Sequence, residues 1–412
     1  MKKILSVLLA SMMICSLCAC GETAQSSSTE PTTQNSNAIT APATSEVKAD
    51  DGSGSAETDI LEWVDYAEYD LEDDVPVKNI ILMIGDGMGE NIIKASEIVK
   101  GDKLVMSGMD YTTHVTTASQ SVLDGNAEFT DSAASSTAIS TGYKTDNGCI
   151  GVDPDGNELE TICEFAQSLG LKTGLVDRHY VCHATPAGMV AHNSSRNNYQ
   201  QILREMVKSE VNVMFGGGSQ YYTNSQKVRN VVDEYEYKYI TTEKELLSLT
   251  AEDEKVLGMF AYDNMGAADM WPSLTTMTSK ALELLENDNG FFLMVEGSNI
   301  DVYEANEDME NTLNQMQSFD QTVDYVLDWA EDHPGTLVIV TADHETGGVT
   351  IPENATAEDI NNDCFTSGGE HTNTNVLLMA SGAQSKGICE EELIDNTDIA
   401  KYMRKVLNET YK

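Results

Sequence analysis

Basic residues are scarce in this 412-residue chain: 24 Lys and Arg stand against 68 Asp and Glu, for a formal net charge of −44. Such a charge repels phosphate backbones and anionic lipid, so nucleic-acid binding and adhesion to an acidic membrane surface are excluded as functions. Metal-binding cysteine patterns are missing as well; beyond the N-terminal leader no CxxC occurs. No internal repeat is evident, and no apolar run beyond the N-terminus is long enough to span a bilayer. Disorder throughout is also excluded, because 41% of the residues are hydrophobic and 22% charged, enough to bury a sizeable core. An acidic chain can still serve an anionic substrate if metal ions or arginines reverse the field inside one pocket.

What is present begins with a leader. Met1, Lys2 and Lys3 precede an apolar run from Ile4 to Leu17, too short for a comfortable span and of the length of a secretory core. It closes on Leu17-Cys18-Ala19-Cys20-Gly21, which resembles a bacterial lipobox with Cys20 as the lipid acceptor. Residues 1–20 are therefore expected to be a lipoprotein signal peptide. Residues 21–59, rich in Ser, Thr, Ala and Asn, bury too little to order themselves and read as a tether reaching about 35 Å. The body is expected over 60–412, exported and lipid-anchored outside the cytoplasm. Five cysteines remain in it: Cys149, Cys163, Cys182, Cys364 and Cys389. Cys149 with Cys163, or Cys364 with Cys389, are pairs an oxidising location permits, and buried or free thiols are the plainer reading.

Short apolar runs recur at Ile80–Ile84, Thr173–Val176, Val211–Phe215, Phe291–Val295, Leu337–Val340 and Val376–Met379, separated by stretches of helical period such as Leu159–Leu169 and Met309–Ala330. This alternation predicts an α/β fold: a three-layer sandwich whose largely parallel central sheet has helices on both faces. The Tyr-rich, acidic stretch 219–272 is weakly periodic and reads as an insertion over the site or as a peripheral segment. Open sheets of this kind bind ligands beyond the carboxyl ends of their strands. Three runs deliver an acid there, at Asp86, at Glu296 and at Asp343, the last followed by His344. Together they point to a polynuclear site for hard or borderline cations. Thr130-Asp131-Ser132-Ala133-Ala134 places a serine at a helix start, where free N–H groups favour anions, although Asp131 and Ser132 alone would read as an ordinary N-cap pair.

Six blocks in order resemble the alkaline phosphatase family: Ile84-Gly85-Asp86-Gly87-Met88-Gly89, Thr130 to Ala134, Ala184-Thr185-Pro186 with Ala191-His192 and Arg196, Val295-Glu296-Gly297-Ser298 with Asp301, Thr341 to Gly348, and Glu370-His371-Thr372. The resemblance implies metal-dependent hydrolysis of phosphate monoesters through a phosphoserine at Ser132. It implies that Arg196 grips two phosphate oxygens and that Asp131 positions the guanidinium. It also implies zinc on Asp86, Asp343 and His344, a second zinc on Asp301 and His371, and magnesium on Asp86, Thr185 and Glu296; family members are commonly homodimers.

Two departures stand out. The family's zinc-binding histidine four residues after the aspartate matching Asp301 is here Ala305, which leaves Glu304 as the nearest substitute ligand or else a looser ion. His183 stands where many bacterial members carry aspartate, which bears on the third cation. His114 and His333 read as surface or loop residues, His179 stays open, and His192 packs or hydrogen-bonds near the metals. Competing readings are a phosphodiesterase or sulfatase relative on the same fold, against which Ser132 and Arg196 count, and a catalytically weak phosphate- and metal-binding relative, for which Ala305 counts.

Overall fold

The run Ile80–Ile84 lies wholly inside the protein, because both faces of its strand are covered by helices. It forms part of β1 (Asn79–Ile84), at the centre of a ten-stranded sheet in a computed structural model that describes Leu71 and residues 76–412. The other strands are β2 (Tyr111–Thr116), β3 (Lys172–Tyr180), β4 (Val213–Gly217), β5 (Lys238–Ile240), β6 (Val256–Met259), β7 (Phe291–Glu296), β8 (Thr336–Thr341), β11 (Val376–Gly382) and β12 (Leu393–Asp395), while β9 (Glu345–Thr346) and β10 (His371–Thr372) form a separate small ladder. The order is β12-β2-β11-β8-β1-β7-β3-β4-β6-β5. Only β11 runs against the rest, so the sheet is largely parallel, and each apolar run read from the sequence lies in or overlaps a strand.

The residues 1–20 with Cys20, and the tether 21–59, lie outside the described residues. The segment 219–272 contributes β5 and β6, which extend one edge of the sheet, together with short helices. All five described cysteines are free, so neither disulfide pairing forms. Helix 162–168 starts later than its apolar pattern because Thr161 caps it, accepting from the Glu164 N–H while Glu164 accepts from the Thr161 N–H. Helix Met309–Asp332 packs Met309, Met316, Phe319, Val323 and Val326 inward.

Candidate active site

The carboxyl ends of β1, β7, β8 and β3 converge, as the chemistry of their termini predicts. β1 runs into the turn Gly85-Asp86-Gly87, where Gly87 has φ +75° and its N–H donates to Asp343 Oδ1 at 3.1 Å. A side chain at Gly87 would meet Glu304 Oε2 at 2.6 Å and Thr346 Oγ1 at 2.9 Å, so glycine is required there by conformation and by space. β7 ends on Glu296 and leads into helix Asn299–Glu304, which carries Asp301. β8 leads to Asp343 and His344, and the pairing of β10 with β9 brings His371 alongside, its ring stacked 3.6 Å from that of His344.

Ser132 opens helix Ser132–Thr141, whose residues are all buried among small neighbours. Asp131 caps it, accepting from Ala134 N–H at 3.0 Å, and also accepts from Gly148 N–H and from Arg196 Nη1 at 2.8 Å. One carboxylate thus fixes both the serine's helix and the arginine. That bond and Asp131's charge hold the Arg196 guanidinium above its ordinary value, against burial, which pulls it down. Ser132 Oγ lies 3.3 Å from His344 Nε2. Gly188 packs directly on this helix; a Cβ there would sit 2.2 Å from Ser136 Oγ.

Potential ligand atoms gather in three overlapping groups, each within 4.8 Å: Asp86, Asp343 and His344; Asp301, His344 and His371; and Asp86, His183 and Glu296. Thr185, on helix Ala184–Gly188, is fully buried with no partner for Oγ1. Asp86 Oδ1, Asp343 Oδ2, both Glu296 oxygens and His183 Nδ1 are likewise buried without a hydrogen bond, His344 Nε2 lying 3.5 Å from Asp86 Oδ1 and 3.2 Å from Asp343 Oδ2. Burial, then the charges of Asp343, Asp301 and Glu296, push Asp86 well above the usual carboxylate range. Burial, then Asp177 and Asp343, do the same to Glu296. Buried oxygens that repel one another and lack donors fit cations, and the mixture of carboxylate, imidazole and hydroxyl fits divalent ones.

The remaining expected ligands are placed less evenly. Asp301 and His371 face each other at 3.5 Å, and His371 Nδ1 lies 2.9 Å from Thr130 O, which aims its Nε2 at the carboxylate. Ala305 is exposed and offers no donor. Glu304 is fully buried, so it does not point to solvent, but its carboxylate lies under Gly87 and outside the Asp301–His344–His371 group. Both of its oxygens lack a partner, and burial, then Asp301, Glu345 and Asp343, raise its pKa well above the ordinary value. His192 Nε2 sits 2.9 Å from Leu159 O, His333 stacks on Trp329, and His114 lies half exposed on β2. His179 packs 4.1 Å from the His183 ring, and burial lowers it to about 4.

Two positioning residues were not singled out in the sequence. Thr346 Oγ1 donates to Asp301 Oδ1 at 2.6 Å and lies 3.2 Å from His344 Nδ1. Asp177, raised by burial to about 6, stands beside Glu296 and accepts from His179 N–H. The signal for Asp177 was there: the run Thr173–Val176 also ends on an acid.

The family model for alkaline phosphatase matches residues 77–363, a span that includes all of these groups except His371. This chain belongs to the alkaline phosphatase family. It is 30% identical over 410 residues to the alkaline phosphatase of Escherichia coli (strain K12), covering 81% of this chain and 87% of that one. It is 38% identical over 315 residues to alkaline phosphatase 4 of Bacillus subtilis (strain 168), covering 71% of this chain and 67% of the relative. With alkaline phosphatase 3 of the same organism it shares 37% over 293 residues, which spans 62% of that relative, under two thirds of its length. Among solved structures, the alkaline phosphatase of the Antarctic bacterium TAB5 superposes with a TM-score of 0.74 at 29% identity, over 82% of this chain and all of that one. A TAB5 variant with one histidine changed to glutamate carries magnesium in its M3 site. As an alkaline phosphatase the chain is a metal-binding hydrolase of phosphate monoesters.

Proposed function

We propose that hydrolysis runs through a phosphoserine at Ser132, in a site that takes zinc at Asp86, Asp343 and His344, a second zinc at Asp301 and His371, and magnesium at Asp86, Thr185 and Glu296 beside His183. The observation that carries this is the join made by Asp131, which caps the serine's helix and holds Arg196 at 2.8 Å. When bound, the cations supply neutralisation of charge on the entering and leaving oxygens and lower the pKa of hydroxyl and water. Arg196 binds two non-bridging oxygens of the phosphoryl group, and the helix N-terminus faces the same anion. Ser132 Oγ then bonds to phosphorus as the ester oxygen leaves; the serine proton passes to solvent and the departing alkoxide takes one up. Water next bonds to phosphorus, the serine oxygen leaves and is reprotonated, and inorganic phosphate is released. Arg196 on the free oxygens favours a monoester dianion over a diester.

Ser132→Ala tests the assignment. Wild-type protein quenched in acid after exposure to labelled monoester should carry label on Ser132, and the variant should carry none and lose at least about 100-fold in turnover. Turnover near wild type in the variant would remove Ser132 from this role, and preferential cleavage of diesters would favour the phosphodiesterase reading.

The same reading places the enzyme outside the cytoplasm, anchored by lipid on Cys20 and releasing phosphate from esters that do not cross the membrane. It rests on the leader and on the coincidence of small residue, cysteine and run end at 19–20. Cys20→Ala in the full chain should abolish incorporation of labelled fatty acid, and undiminished labelling refutes the anchor. A homodimer rests on the family resemblance alone, and light scattering tests it.

A further inference from the structure

A cleft of about 620 Å³ lies between the loop around Trp271 and helix Met309–Asp332, and none of its lining residues belongs to the catalytic or cation-binding groups. One wall carries Trp271, an indole left 62% exposed. The other carries Asn314, Gln317, Ser318 and Gln321, which successive three- and four-residue steps place on one helix face. The amides of Asn314, Gln317 and Gln321 make no hydrogen bond to any other described residue. In a chain of net charge −44 this lining has a single charged member, Asp269.

The loop that presents the indole is fixed from beneath. Arg178, 1% exposed, donates through Nη1 to Met270 O and Pro272 O, each at 3.0 Å, and through Nη2 to Met265 O at 3.1 Å and to Ala267 O. Asn299 and Gln315 both donate to Gly266 O, at 3.1 and 2.9 Å. Burying a guanidinium is costly unless its donors are met, and here four of its bonds go to carbonyls of this one loop. The loop is thus held in shape while its tryptophan remains in water, a combination that core packing does not require.

We propose that this cleft binds a neutral oligosaccharide. A pyranose ring presents a C–H face, which the flat apolar indole accepts, and an equatorial rim of hydroxyls that both donate and accept. A primary amide offers one acceptor oxygen and two donor hydrogens, and three free amides on one helix face answer such a rim without charge. The volume lies within the range of small-molecule sites. A phosphorylated or acidic ligand is disfavoured, because the lining contains no Lys or Arg. The site would hold the enzyme against a glycan surface independently of how phosphate esters are cleaved.

The test is calorimetric titration of the intact protein with cellohexaose, chitohexaose and mannohexaose, in saturating inorganic phosphate so that the catalytic site is filled. At least one should bind with a Kd of about 1 mM or tighter, unchanged in 0.5 M salt. Trp271→Ala and, separately, Gln317→Glu should each weaken that binding at least about tenfold while monoester hydrolysis stays within about twofold of wild type. Should Trp271→Ala lose phosphatase activity and thermal stability together, Gln317→Glu, on an exposed helix face, decides alone. Binding by none of the three sugars, displacement of sugar by phosphate, or binding that survives Gln317→Glu overturns the proposal. Phosphatase activity is read separately, so a failure here leaves the serine mechanism standing, and the reverse.

Discussion

His371 and Asp301 show how one contact sets two titrations. Burial pulls the imidazole down, but its hydrogen bond with Asp301 and that carboxylate's charge hold it up at about 9; burial pushes Asp301 up, yet His371 and His344 keep it well below the usual carboxylate range. For a histidine raised from about 6.5, the stabilisation is complete below that value and is lost as pH rises through about 9. A cation seated on this pair must displace the proton. Metal-stripped protein should therefore bind zinc more tightly by up to about tenfold per pH unit between pH 7 and 9, with a plateau above. Chelator-competition titrations at pH 7, 8, 9 and 10 measure it, and a flat profile rules the argument out. Ala305 belongs to the same question. Its N–H donates to Asp301 O at 2.7 Å, so the chain is still helical there and an imidazole at 305 shares the face of Asp301. Ala305→His should slow loss of the second cation to chelator about tenfold and raise turnover of alkyl phosphates more than of aryl phosphates, whose leaving groups need less help. Unchanged retention and an unchanged alkyl-to-aryl ratio would show that the histidine is not what the site lacks.

At the scale of elements, legibility followed the length of the buried run: β6, buried throughout but only four residues long and interrupted by Gly258, was not legible. The runs read as strands became β1, β3, β4, β7, β8 and β11, because a strand covered on both faces must be apolar throughout. β2, with its exposed Tyr111 and Thr112, and β5 and β12, three residues each and at the sheet's edges, carry no such run and stayed hidden. The candidate cation-binding acids were legible for a related reason: a buried apolar run followed within a few residues by Asp or Glu breaks its own pattern, at the end of β7 and two residues beyond β1 and β8. The run Thr173–Val176 is broken in the same way by Asp177, although β3 itself continues to Tyr180. What no local pattern reveals is a partner far along the chain. Thr346 meets Asp301 across 45 residues, and Arg178 reaches Pro272 across 94. Glu304 shows the limit from the other side. Its spacing from Asp301 made it a candidate ligand, but residue 304 is about 100° around the helix from 305, and its side chain turns under Gly87.

The molecule as a whole poses a field problem: a chain of net charge −44 must admit a dianion. In the proposed mechanism Arg196 and the cations the site would hold make the field near the reacting phosphorus positive, but a substrate approaching from tens of ångströms meets the sum of the surface charge first. Those two fields have different ranges. At 10 mM ionic strength the screening length is about 30 Å and the repulsive far field reaches the substrate; at 150 mM it is about 8 Å and only charges close to the site still act. Added monovalent salt should therefore raise kcat/KM for a dianionic monoester, by roughly two- to tenfold between those ionic strengths, when encounter limits the rate. The gain should shrink for the same ester at a pH where it is a monoanion, since the repulsion scales with substrate charge. Stopped assays at fixed pH and fixed free zinc and magnesium, with sodium chloride as the only variable, read the effect. If kcat/KM instead falls steadily with salt, attraction by the arginine and the cations governs the approach from the outset, and the acidic surface has no part in how substrate arrives.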